Sequence, residues 1–231
     1  MYIGWDIGIK NLAYCILDDS NKIKELEIIN LIDDPPIHKC ICYNKNGNLC
    51  KSKATYINKK DDTLKYCNKH YNALTAKEQK MIKKIKPPKK CSKYTLEELG
   101  TNLFTALDNN PLFLECNNII IENQPVLKNP TMKSIQIMLY SYFLIKNKNI
   151  NIIKLVNASN KTKVYKGPKD DELIKISEIK DKYKRTKMTA IRHCQLMIND
   201  TKFLDYFNSH KKKDDLADAY LMTQYLMNIN K

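Results

Sequence analysis

Apolar positions open the chain in two blocks, Tyr2 to Ile7 and Leu12 to Leu17, separated by Gly8-Ile9-Lys10-Asn11. Glycine and asparagine take positive φ at little cost, so this break predicts a tight turn and the blocks predict a β-hairpin. Between Ile23 and Ile32, Ile23, Glu25, Glu27, Ile29 and Leu31 mark the two-residue period of a strand, and a third antiparallel strand follows. From Asp33-Asp34-Pro35-Pro36 to Pro87-Pro88-Lys89-Lys90 the aliphatic content collapses, and Cys, Lys, Asn and Tyr take its place. That shift reads as a module over residues 34–90 inserted into a domain built from 1–33 and 91–231. Beyond it, Leu96, Leu99, Leu103, Phe104 and Leu107 recur at helical spacing, with Thr95 and its acidic followers as the start signal. Ile119-Ile120-Ile121, within Asn117 to Glu122, is the continuous run expected of a central strand covered on both faces. Met132, Ile135, Leu139, Tyr142 and Phe143 predict another helix, and Ile150 to Val156 another strand. Lys161 to Lys187 is polar and weakly periodic, which predicts a connecting segment with one short helix, before two closing helices at Met188 to Ile198 and Leu216 to Met227. The sum is an α/β domain, a mixed five-stranded sheet flanked by helices, carrying a small insertion.

A chain of 231 residues is long enough for one large domain with its own core. No stretch approaches the roughly 18 uninterrupted apolar residues of a membrane-spanning helix, and Met1-Tyr2-Ile3-Gly4-Trp5-Asp6 has no basic leader or cleavage site. An intracellular protein is expected, and eight cysteines in such a protein point to metal binding or burial rather than disulfides. Forty Lys plus Arg against twenty-five Asp plus Glu leave a net charge of +15. That excess favours a polyanionic partner, with nucleic acid foremost. Only Arg185 and Arg192 are arginines. Lysine meets phosphate as a point charge and reads guanine poorly, so recognition should rest on backbone and shape.

Five residues could carry chemistry on that partner. Asp6 ends the first strand, Glu122 ends the central strand, and Asp214, Asp215 and Asp218 open the last helix. On a helix Asp215 and Asp218 lie three apart on one face, while Asp214 points elsewhere. The element order is similar to that of the ribonuclease H-like fold. There, carboxylates from the first strand, the fourth strand and the last helix hold two divalent cations about 3.5–4 Å apart for in-line phosphodiester hydrolysis. Trp5-Asp6-Ile7-Gly8-Ile9-Lys10-Asn11-Leu12-Ala13-Tyr14 resembles the opening motif of RuvC-like Holliday junction resolvases. Ile121-Glu122-Asn123-Gln124-Pro125, followed by Lys128-Asn129-Pro130-Thr131-Met132, resembles the poxvirus-type branch of that family, and Lys213-Asp214-Asp215-Leu216-Ala217-Asp218-Ala219 resembles its last motif. The resemblance covers residues 1–32 and about 94–230. It implies a homodimeric endonuclease that resolves four-way DNA junctions, with two Mg²⁺ (or Mn²⁺) held by Asp6, Glu122, Asp215 and Asp218. It also implies a lysine after the fifth strand, for which Lys161 and Lys163 compete; a lysine there would stabilise charge on the transferred phosphoryl group. With the Lys, Asn and Ile bias it implies a viral protein acting where viral DNA is replicated in the host cell.

Within the insertion, Cys40, Cys42, Cys50, Cys67 and His70, with Cys91 just past it, supply six soft ligands, and a structural Zn²⁺ needs four. Cys67-Asn68-Lys69-His70 is a pair with a two-residue gap, Gly47 precedes Cys50 as a turn residue, and the fourth ligand is Cys40 or Cys42. The segment resembles small Cys3His zinc fingers whose first two cysteines have nine residues between them, a spacing that selects Cys40. Too few aliphatics lie here to build a core without metal. Cys15, Cys116 and Cys194 sit in apolar contexts and read as core residues.

Three rivals share parts of this pattern. RNA-guided nucleases place their zinc module between the Glu and the final Asp, whereas here it falls between Asp6 and Glu122. An RNA:DNA hybrid nuclease shares the metal chemistry but not the Glu122-Asn123-Gln124-Pro125 text. A non-catalytic zinc-finger DNA-binding protein would have no need of all four carboxylates.

Overall fold

The computed structural model describes residues 1–32, 37–87, 89–127 and 129–230. The break at Asp33-Asp34-Pro35-Pro36, together with Pro88 and Lys128, lies outside them. The chain forms two units, Met1–Ile32 with Cys91–Lys231, and Asp33–Lys90.

The first unit begins with the meander β1 (Tyr2–Asp6), β2 (Leu12–Leu17) and β3 (Ile23–Ile29), whose neighbours pair antiparallel. The second unit then supplies β4 (Tyr56–Asn58), β5 (Lys65–Tyr66), α1 (Asn68–Asn72), α2 (Ala76–Lys80) and β6 (Ile82–Lys84), with its sheet in the order β5-β4-β6. The chain re-enters the first unit through α3 (Leu96–Asp108), β7 (Asn118–Glu122), α4 (Pro130–Lys146) and β8 (Ile152–Val156). It closes with α5 (Asp171–Ser177), α6 (Lys182–Met197), α7 (Thr201–Ser209) and α8 (Lys213–Ile229). The five-stranded sheet has the order β3-β2-β1-β7-β8, with β7 and β8 parallel to β1 and to each other. This mixed order with helices on both faces is the ribonuclease H-like architecture.

Local signals account for the element starts. Thr95 and Glu98 form a reciprocal capping box at α3, and Asn129 caps α4 with Pro130 in its first turn, where no backbone N–H is missed. One sheet face packs Ile3, Trp5, Ile119 and Ile121 against Leu99, Leu103, Leu139 and Phe143 of α3 and α4. The other packs Ala13, Cys15 and Leu17 against Cys194, Ala217 and Leu221 of α6 and α8. Gly4 sets the depth of that second layer. A Cβ there would lie 2.4 Å from Thr223 Oγ1 and 2.9 Å from the Ala219 carbonyl oxygen, so only glycine lets α8 lie directly on β1.

The stretch read as a connection with one short helix is more ordered than expected. It holds a 3-10 turn at Ala158–Lys163, then α5, and α6 starts at Lys182 rather than Met188. Asp170 and Asp181 cap those two helices, signals that the lysine-rich surroundings obscured. The helix α7 was also not expected; it is capped by Asp200 and buries Phe207. Among the described residues no helix is long and apolar enough to cross a membrane.

Candidate metal and nuclease site

Parallel pairing of β1 with β7 aligns Trp5 with Ile121, which places Asp6 and Glu122 side by side where the two strands end. Because Gly4 lets α8 press onto β1, Asp215 and Asp218 in its first turns reach the same end of the sheet. The 3-10 turn after β8 then carries Lys161 inward. Its Nζ pairs with Asp218 and lies 4.0 Å from Glu122 Oε1, and the residue is only 7% exposed. Lys163, two residues on, instead donates to Asn160 at the surface.

The electrostatics are those of a crowded acidic site. Burial, then Glu122 and Asp218, hold the Asp6 carboxyl well above the ordinary carboxylate range, against a smaller pull from Lys161. Asp218 is pushed up to about 6, mostly by burial, with Lys161 opposing and Glu122 and Asp215 adding to the rise. Asp215 is raised by burial and by Asp214, and its Oδ2 is buried with no hydrogen-bond partner among the described residues. Asp214 faces away, paired with Lys187 of α6. A cleft of about 540 Å³ opens onto Glu122, Lys161, Asp215 and Asp218, with Lys182 and Lys187 beside it.

The residues after Glu122 hold it in place. Gln124 donates its side-chain N–H to Glu122 Oε2 at 2.7 Å, and the Gln124 backbone N–H donates to the buried Gln136 at 2.7 Å. Asn123 ties the end of β7 to Asn157 at the end of β8, and Lys133 donates to both Asn123 and Gln136. The Glu-Asn-Gln-Pro run is legible in the sequence, whereas Gln136 and Lys133 lie within the helical pattern of α4 and carry no signal of their own.

These oxygen donors match the ligand preference of Mg²⁺ or Mn²⁺, and the unpartnered Asp215 oxygen is a donor in want of a cation. Asp6, Glu122, Asp215 and Asp218 are the residues that would hold such ions.

A second centre lies in the Asp33–Lys90 unit. The Sγ atoms of Cys40, Cys50 and Cys67 and a ring nitrogen of His70 all lie within 4.8 Å of one another; Cys42 is outside this quartet. Cys40 and Cys50 approach across a knuckle in which Cys50 N–H donates to the Cys42 carbonyl and Cys40 N–H to the Ser52 carbonyl. Gly47, at φ +73°, makes the turn between them. Cys67 caps α1, whose first turn delivers His70, with Nδ1 3.2 Å from Cys40 Sγ and 3.4 Å from Cys67 Sγ. The cysteines themselves are this unit's main buried cluster. Three sulfurs and one imidazole are the donor set of a closed tetrahedral Zn²⁺ site. Cys91 falls in the other unit, against its core.

Two viral proteins are similar to this chain. It is 36% identical to an uncharacterized protein of Acanthamoeba polyphaga mimivirus over 206 residues, 83% of this chain and 49% of that protein. The chain thus spans about half the length of that relative. It is 26% identical to an uncharacterized protein of Invertebrate iridescent virus 3 over 227 residues, 97% of this chain and 98% of that one. Among solved structures it is similar to the yeast mitochondrial Holliday junction resolvase, with a TM-score of 0.48 and 16% identity over 97% of this chain and 78% of that one. No protein-family model matches.

Proposed function

We propose that this chain is a divalent-metal-dependent endonuclease of the RuvC-like resolvase family, in its poxvirus-type branch, acting on four-way DNA junctions. The observation that carries the reading is the gathering of four carboxylates from three separate elements around one buried lysine. A fold gains no stability from such an arrangement. Three carboxyls are raised by burial and by neighbouring carboxylates, and Lys161 offsets only part of the cost. Clusters of this kind persist where function needs them.

When bound, divalent cations lower the pKa of the attacking water and offset charge on the phosphoryl oxygens. The chain's own residues do the rest. Asp6 and Glu122 enter the site from the ends of β1 and β7, Asp215 and Asp218 face them from α8, and Gln124 keeps the Glu122 carboxylate aimed. Lys161 neutralises Asp218 while the site is empty of substrate and is placed to donate to a phosphoryl oxygen once DNA enters. Lys182 at the cleft gives the backbone a positive approach.

The Cys40, Cys50, Cys67 and His70 quartet holds one structural Zn²⁺ and folds the 34–90 module. The active species is a homodimer, since a junction is cut at two symmetry-related points and each chain carries one carboxylate set. Its interface is α4: Ile135, Leu139 and Phe143 are buried inward, while Ile137 and Leu144, seven apart on another face, are 45% and 53% exposed.

The test is a substrate panel. Purified protein with Mg²⁺ should nick a synthetic four-way junction in preference to linear duplex, and Asp6→Asn or Glu122→Gln should bind the junction without cutting. Preferential cleavage of an RNA:DNA hybrid would replace junction resolution with hybrid hydrolysis. Tight binding without cleavage by wild type would leave a non-catalytic DNA-binding protein.

A further inference from the structure

A second cavity of about 420 Å³ lies between the segment after β8, α5 and α6. It shares Thr162 and Thr186 with the carboxylate cleft, so the two form neighbouring chambers of one groove. Its volume is that of a small-ligand site, and none of the four carboxylates lines it.

Two aromatic rings build its wall. Tyr165 stacks on His193 with centroids 4.8 Å apart and planes at 30°. The tyrosine is fixed from two sides. Its hydroxyl donates to the Pro168 carbonyl at 3.0 Å, and its ring crosses Gly167 so closely that a Cβ there would stand 2.4 Å from Oη. His193 is 8% exposed, and its Nδ1 is buried with no hydrogen-bond partner among the described residues. Burial of a polar ring atom without a partner costs free energy, so this wall is not arranged for stability alone. Thr162, Thr186 and Thr189 add hydroxyls, and Lys169 and Arg185 add positive charge. A flat, aromatic, polar-edged group flanked by negative charge fits this lining: a fixed ring to stack on, hydroxyls for its edge, cations for its phosphate.

We propose that this cavity receives one unpaired nucleobase of the strand being cut, a few nucleotides from the scissile phosphate, stacked on Tyr165. The proposal rests on the nuclease reading and extends it. The carboxylate cleft is lined by charged groups suited to a phosphodiester backbone, so this pocket is where base identity near the cut would be sensed. A branched substrate supplies such a base readily, because bases at a branch point are the cheapest to unstack.

The experiment is an abasic scan on a synthetic four-way junction, with Ca²⁺ in place of Mg²⁺ and binding as the readout. For wild type, deleting one particular base near the cut should weaken binding roughly 5- to 150-fold, the worth of one base stacked on an aromatic ring. Tyr165→Ala should lose a similar factor on the intact junction and become indifferent to that deletion, while Tyr165→Phe keeps the wild-type pattern. Thr189→Met, which narrows the cavity from α6 and keeps the tyrosine at 165, should show the same indifference and decides the matter if Tyr165→Ala does not fold. A wild type that binds and nicks junctions but has no base-sensitive position overturns the pocket alone, as does sensitivity that survives in both variants. A wild type that neither binds nor nicks any junction overturns the nuclease reading, and this one with it.

Discussion

Replacing Asp6 with Asn should make the metal-free protein more stable at pH 7.5 and abolish its response to magnesium. Asp6 is 9% exposed, and its carboxyl is lifted first by burial, then by Glu122 and Asp218. A carboxyl whose folded pKa exceeds its unfolded value takes up protons on folding. Its effect is fully favourable only below the unfolded pKa near 4, and stability is lost as pH climbs from there through the folded pKa. The neighbouring Asp218, lifted from 3.8 to about 6, sets the scale, on the order of 3 kcal/mol against folding at neutral pH. An amide keeps the shape of Asp6 and removes one charge, so a gain of about 1–3 kcal/mol is expected, or roughly 2–12 °C in Tm for a chain of this size. Magnesium acts in the opposite sense. At a hundred times its Kd it adds about 2.7 kcal/mol to wild type, and the variant, lacking a ligand shared by three elements, should gain little. Scanning calorimetry with and without Mg²⁺ should therefore show crossed responses: variant above wild type without metal, and wild type alone shifting upward with it. An Asp6→Asn protein that melts lower without metal and still gains the full magnesium shift would refute the reasoning.

Elemental analysis should find one zinc per chain, lost from Cys40→Ser and kept by Cys42→Ser. Chelation should unfold the 34–90 module, because zinc binding supplies most of its folding energy. Ile137→Glu with Leu144→Glu should convert a dimer of about twice 27.0 kDa into monomers by sedimentation, with stability nearly unchanged since both residues are exposed. Cleavage at subsaturating Mg²⁺ should rise with pH between 5 and 7, because the protons carried by Asp218, raised to about 6, and by the raised Asp6 compete with the cation; a flat profile over that range would contradict this.

Periodicity made the sheet and its two main flanking helices legible, since each carries an apolar run or stripe that buries against the sheet. The ends of those runs placed Asp6 and Glu122 correctly relative to the strands. Helical spacing put Asp214 on a different face from Asp215 and Asp218, where it pairs with Lys187. What could not be read was contact that depends on three dimensions. Lys161 and Lys163 lie two residues apart in a segment without periodicity, and only the 3-10 geometry turns one inward and the other out. The role of Gly4 was equally hidden, because its need comes from Thr223, more than two hundred residues away. The helices α5 and α7 are short, and their lysines and polar residues masked the aspartate caps that start them. The second cavity arises from such segments, which is why no motif announced it.

The most direct test of the central claim is the fate of a supercoiled plasmid carrying an extruded cruciform, incubated with the protein and Mg²⁺. Two coordinated cuts within the lifetime of one complex give linear DNA with ends at symmetry-related points of the cruciform, and the account predicts that linear product for wild type and none for Glu122→Gln. Plasmid left intact by wild type, or linearised equally well by Glu122→Gln, would contradict it.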